Sequence, residues 1–174
     1  MTRLTLFFFF LIFSTATSAA PGYAIDVIRG EGSVNGVKLA YQYHIDQSVH
    51  NDWPVTLPLE TSANFWEYGE KDEYDSNLVL ALSPILRIPL GKLHGFLIEA
   101  EFGIGVSLLD DTRFAGKDVS THYQFEDRIG VSTVFGDQDQ YRLSLRYLHY
   151  SNAGFKKPNP GLDFISLSFS QRWD

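Results

Sequence analysis

Apolar residues recur at every second position through most of this chain, and a period of two restricts it to strands with two unlike faces. From Val37 one face reads Val37, Leu39, Tyr41, Tyr43 and Ile45, against Lys38, Ala40, Gln42 and His44. From Phe96 the apolar face is Phe96, Ile98, Ala100, Phe102, Ile104, Val106 and Leu108, opposed by Leu97, Glu99, Glu101, Gly103, Gly105 and Ser107. The same split runs through Tyr123–Val131 and from Ile165 to Trp173. Residues 141–151 divide into Tyr141, Leu143, Leu145, Tyr147, His149, Ser151 and Arg142, Ser144, Arg146, Leu148, Tyr150. Weaker alternation marks 25–31, 55–67 and 76–89, which brings the expected strands to eight.

A barrel of such strands turns its apolar face inward, as soluble lipocalin-like barrels do, or outward to lipid around a polar interior. Two features favour lipid. The polar faces carry Glu99, Glu101, Glu126, Arg128, Arg142, Arg146 and Arg172, whose opposite signs can pair inside. The strands also run to about ten residues, the length of a tilted crossing. Leu90–Gly95 and Gly136–Gln140 are short connections, while Glu67–Ser76 and Asp110–Thr121 are longer and polar. Outer-membrane barrels show that asymmetry, with short periplasmic turns and long outer loops. Trp173 resembles the aromatic end of such barrels, although Asp174 follows it. The expected fold is all-β: an eight-stranded antiparallel transmembrane β-barrel.

Met1–Ala20 reads as an address. Arg3 precedes an apolar run from Leu4 to Phe13, and small residues follow from Ser14 to Ala20, the three-part shape of a secretory signal. Its apolar core is far short of the ~20 residues that span a bilayer as a helix. Cleavage is expected after Ala20, or as late as Ala24, leaving one barrel domain at 25–174. Removing Arg3 leaves 13 basic against 21 acidic residues, so the remaining chain is acidic and offers no basic field for nucleic acid. The chain has no cysteine, which excludes disulfide scaffolds, thiol catalysis and thiolate metal sites. His44, His50, His94 and His122 have neither the companions nor the spacing of metal ligands, so neither metal nor cofactor is expected.

One strand carries chemistry that a bare shell does not need. His149 and Ser151 share the lipid-facing side of 141–151, roughly 7 Å apart along the backbone, within reach of imidazole and hydroxyl. Asn152–Leu162, rich in turn residues, leads to Asp163, which parity aligns with Ile165, Leu167 and Phe169. Two antiparallel strands joined by that loop bring Asp163 beside His149. A carboxylate there holds the imidazole in the right tautomer while it takes the proton of Ser151. A charge on the lipid face is tolerated near the membrane edge, and these residues sit at strand ends.

The run His149-Tyr150-Ser151-Asn152-Ala153-Gly154, continued by Lys157-Pro158-Asn159 and Gly161, resembles the lipid A 3-O-deacylase family (PagL). Phe125-Glu126-Asp127-Arg128-Ile129-Gly130, Ile98-Glu99-Ala100 and Gly103-Ile104-Gly105-Val106 resemble it too. The likeness implies an outer-membrane esterase that hydrolyses the acyl chain ester-linked at position 3 of lipid A, and so modifies lipopolysaccharide. It maps the family's serine nucleophile onto Ser151 and its histidine base onto His149. The family's acid is a glutamate twelve residues after the serine, where this chain has Asp163. Being one methylene shorter, Asp163 is expected to need a closer backbone or a water to reach the ring. Asp127 is a second lipid-face carboxylate with an accessory, structural or substrate-positioning role. Backbone N–H groups of Asn152, Ala153 and Gly154, with the Asn152 amide, are candidates for an oxyanion hole. Expected partners are lipid A or lipopolysaccharide in the outer leaflet, and the membrane itself; pairing as a homodimer is left open. The competing readings are a non-catalytic structural or adhesion barrel of the outer membrane, a periplasmic ligand-binding barrel, and an acyltransferase.

Overall fold

The computed structural model describes residues 20–44, 55–70 and 72–173. The leader expected at Met1–Ala20 lies outside these residues except for Ala20, as does His50. The strands are β1 (Ala20–Gly30), β2 (Val34–His44), β3 (Leu59–Glu70), β4 (Glu73–Leu93), β5 (Phe96–Leu109), β6 (Arg113–Phe114), β7 (Lys117–Asp118), β8 (Tyr123–Phe135), β9 (Tyr141–Ser151) and β10 (Leu162–Arg172). Eight of them close an antiparallel barrel in the order β1-β10-β9-β8-β5-β4-β3-β2, so every edge is paired. Closure satisfies the backbone without water, which is what lets a sheet cross hydrocarbon.

Burial follows the alternation. Val37, Leu39, Tyr41, Phe102, Ile104, Val106, Leu143, Leu145, Ile165 and Leu167 face outward and are exposed, whereas Lys38, Glu101, Glu126, Arg146 and Ser166 are enclosed. Inside, the charges pair. Lys38 lies 2.9 Å from Glu60 and 3.3 Å from Glu126, and Arg128 bridges the same two carboxylates at 2.7 Å each. Arg146 joins Glu101 (2.6 Å) to Asp26 (3.2 Å), Arg87 reaches Glu101 at 3.0 Å, and Arg142 pairs with Glu99. An eight-stranded barrel is just wide enough for side chains to fill. This one is a plugged cylinder rather than a pore.

The lumen is not polar throughout. At the end holding the β9–β10 loop, Ile28, Val34, Trp66, Val79, Leu109, Phe114, Val119, Leu148, Tyr150, Leu162 and Phe164 form an apolar cluster. Trp66 contacts the rings of Phe164, Tyr150 and Phe114 at 4.4, 4.8 and 5.9 Å. The Tyr150 hydroxyl donates to Glu126 at 2.6 Å and so ties this layer to the ionic one.

Three expected connections differ, and one of them, Leu90–Gly95, shrinks to a turn at His94–Gly95 because β4 stays paired as far as Leu93. Glu67–Ser76 is mostly paired strand, with register running to Glu70↔Glu73. Strands that rise past the hydrocarbon keep their ladder while both faces turn polar, so loop-like composition marks protruding strand here. In Asp110–Thr121, β6 and β7 form a small hairpin through Ala115 (φ 50°) and Gly116 (φ 74°), the two positive φ values of a tight hairpin turn. It drops Phe114 onto Trp66 as part of the lumen's cap. β1 also starts earlier than position 25, at Ala20.

Candidate active site

His149 and Ser151 end β9, and Asp163 is the second residue of β10. Their inward neighbours Leu148, Tyr150, Leu162 and Phe164 belong to the apolar cap, so packed core backs the strand ends on which the three polar groups stand. The three themselves are only partly buried, on the outer wall. Cross-strand register sets Asp163 directly opposite His149 on one side and Asp127 directly opposite it on the other, with Phe125 opposite Ser151.

His149 Nδ1 lies 2.6 Å from Asp163 Oδ1. A carboxylate only accepts, so Nδ1 carries the proton and Nε2 is the ring nitrogen not engaged by Asp163. The shorter aspartate therefore reaches the ring directly, because cross-strand register supplies the approach, and no water is needed. A third group, absent from the sequence reading, joins them: the Tyr147 hydroxyl donates to the same Oδ1 at 2.5 Å. Among the described residues no hydrogen bond joins His149 to Ser151.

Two more residues hold the ring in place. A Cβ on Gly161 would stand 2.6 Å from His149 Cε1, so only a glycine leaves the imidazole room, and its φ of 72° suits glycine as well. The Gly161 carbonyl accepts from Lys117 Nζ at 3.2 Å, and Lys117 also pairs with Glu31. The β6–β7 hairpin is thus fastened to the loop that packs on His149.

The three N–H groups named as oxyanion donors separate. Asn152 N–H donates to Asn159 Oδ1 at 3.1 Å, and Gly154 N–H to Asn152 Oδ1 at 2.9 Å. The Asn152 amide is buried and occupied, donating to Val119 O (3.1 Å), Ser120 Oγ (3.2 Å) and Lys156 O (3.0 Å). Asn152 is a loop clamp in this structure, because every donor it owns is already engaged. Of the three N–H groups, that of Ala153 alone donates to no atom among the described residues. Asp127 makes no hydrogen bond to His149. It lines a groove of about 370 Å³ on the outer wall with Phe102, Ile104, Ile129 and Tyr147. Among the described residues no cluster of three metal-ligating side chains occurs.

The family model for lipid A 3-O-deacylase (PagL) matches residues 35–172. The chain belongs to the lipid A 3-O-deacylase (PagL) family. It is accordingly an esterase of the outer membrane that acts on lipid A. Lipid A deacylase PagL of Pseudomonas aeruginosa is 26% identical over 161 residues, covering 89% of this chain and 90% of that protein. Lipid A deacylase PagL of Bordetella bronchiseptica is 42% identical over 78 residues, which span 45% of this chain and 42% of that one. The crystal structure of the outer membrane enzyme PagL superposes with a TM-score of 0.71 at 25% identity, covering 86% of this chain and 98% of that one.

Proposed function

We propose that this PagL-family barrel is a serine esterase that removes the acyl chain at position 3 of lipid A, with Ser151 as nucleophile, His149 as base and Asp163 as its partner. The observation that carries the reading is the 2.6 Å His149–Asp163 pair on the outer wall, on the same face as Ser151 two residues along. His149 Nε2 takes the Ser151 proton as Oγ attacks the ester carbonyl, and Asp163 stabilises the imidazolium that forms. The oxyanion is held by the Ala153 N–H, the one of the three expected donors not engaged within its loop. His149 then protonates the leaving sugar hydroxyl, and water, deprotonated by the same ring, releases a 3-hydroxy fatty acid. Hydrogen bonds of this kind are commonly long without substrate and tighten in the reacting complex, which is consistent with the unbonded Ser151.

The position suits the substrate. With both termini periplasmic, β9 runs toward the outer leaflet and delivers Ser151 where lipid A resides, and the acyl chain meets a wall that is already apolar. Asp127 and the groove beside Tyr147 then face the chain being cleaved, a positioning role. Mass spectrometry of lipid A from cells with and without the protein tests the reading. We expect loss of the 3-linked chain with the wild type, and intact lipid A with Ser151→Ala. A Ser151→Ala barrel that still strips the chain overturns the nucleophile, and full activity in Asp163→Asn overturns the acid.

A further inference from the structure

We infer that Tyr147 is a positioning residue for the reaction, its phenol holding the Asp163 carboxylate in line with His149. The inference rests on the serine-esterase reading above. Tyr147 precedes His149 by two residues on the outward face of β9 and stands opposite Ile165, so Asp163 is its diagonal neighbour on β10. Diagonal pairs lie about 7–8 Å apart at the backbone, within reach of an aromatic side chain. The contact is made: the phenol donates to Oδ1 at 2.5 Å, and His149 Nδ1 meets that same oxygen at 2.6 Å.

Two donors on one oxygen do what one cannot. The terminal torsion of aspartate is broad, so a single hydrogen bond leaves the carboxylate free to pivot about it. An alternative orientation is at hand. Asp163 also borders a rim pocket of about 210 Å³ that contains Lys117, a cation toward which an unrestrained carboxylate would turn. The phenol, on the outward face of β9, holds Oδ1 at the imidazole. A carboxylate one methylene longer would carry its oxygens past the point where the phenol meets Oδ1. The requirement for Tyr147 is therefore tied to the short side chain at 163.

Steady-state kinetics on lipid A in mixed micelles, with Tyr147→Phe, Asp163→Glu, the double variant and Ser151→Ala, tests this. The folded fraction of each barrel is measured by its heat-shifted gel mobility. Tyr147→Phe should lower kcat roughly tenfold, the worth of a hydrogen bond to a charged group, with KM almost unmoved. The acid limb of its kcat/KM profile should move to lower pH, because a carboxylate that strays from the imidazole stabilises the imidazolium less. In the Asp163→Glu background the same substitution should cost no more than about twofold, since positioning and acid are then uncoupled from the phenol. Equal losses in both backgrounds, a change in KM alone, an unmoved acid limb or an inactive Asp163→Glu each overturn the inference. Unchanged kcat in Tyr147→Phe beside an inactive Ser151→Ala refutes only the role of Tyr147, whereas an active Ser151→Ala refutes the esterase reading on which it stands.

Discussion

Replacing Gly161 by alanine should disable the site while leaving the barrel folded, and the structure gives the size of the effect. The new Cβ would lie 2.6 Å from His149 Cε1 and 3.4 Å from both ring nitrogens. Carbon atoms settle at about 3.5–4.0 Å, so ring and loop must part by about 1 Å. The loop cannot yield all of that, because the Gly161 carbonyl is held by Lys117 and Asp163 follows two residues later. The ring must therefore shift from its present place, and a displacement of that order costs about 10²-fold in rate. Alanine at φ 72° adds about 1–2 kcal/mol of backbone strain that has nothing to do with the clash. Gly95→Ala separates the two, since Gly95 has a φ of 89° but open space around its Cβ, at the opposite end of the barrel. The assay is release of 3-hydroxy fatty acid from lipid A in micelles, scaled to folded protein. We expect a hundredfold loss for Gly161→Ala and near wild-type turnover for Gly95→Ala. Turnover within about threefold of wild type for Gly161→Ala would refute steric control of the imidazole, and equal losses for both would assign the effect to strain.

Asn152→Ala removes an amide whose two N–H groups serve three acceptors and whose oxygen accepts from Gly154, so it should cost about 2–4 kcal/mol in urea unfolding and lower turnover through the slackened loop. Arg146→Met leaves the buried carboxylate of Asp26 without its cation and Glu101 with Arg87 alone, at a cost of about 3–5 kcal/mol in the same unfolding assay. Arg146 points into the lumen from the strand whose other face carries His149, so turnover per folded molecule should stay as in the wild type. Lys117→Gln, which breaks the tie to Gly161, should reduce kcat severalfold without exposing the cap, as read by unchanged tryptophan fluorescence. If His149 is the base proposed above, His149→Gln should abolish fatty-acid release in the same micelle assay while the barrel stays folded. Intact mass of the exported chain should place its start before Tyr23. Cleavage after Ala24 would discard the ladder Gly22↔Arg172 to Ala24↔Ser170, and with it the Trp173 N–H bond to Pro21 O at 2.7 Å.

Much of the barrel was legible because alternation is a local signal. The outward row of β5 and the inward charges Glu99, Glu101, Glu126, Arg128, Arg142 and Arg146 lie where period two places them, and their pairing follows from opposite signs enclosed together. The misreadings have a shared origin. Glu67–Ser76 looked like a loop because composition reports solvent, not hydrogen bonding, and a strand that leaves the membrane still pairs. The apolar cap was unseen because Trp66, Phe114 and Leu148 come from segments far apart in the chain, which only closure brings to one end. Asn152 looked like a free donor because nothing near it in sequence reveals the Val119 and Ser120 acceptors across the rim.

From its residues alone, this chain was committed to two-faced strands, to an apolar exterior, and to an imidazole and a hydroxyl on the same outer face of one of them. Pleat geometry carries that information within a few residues. That Asp163 meets the imidazole without a water, which tyrosine meets that carboxylate, which glycine leaves the ring room and which N–H groups remain unspent were decided by the folded barrel. Such contacts depend on register between strands, and register is set by turn lengths and ring closure acting over the whole sheet, which no local pattern encodes.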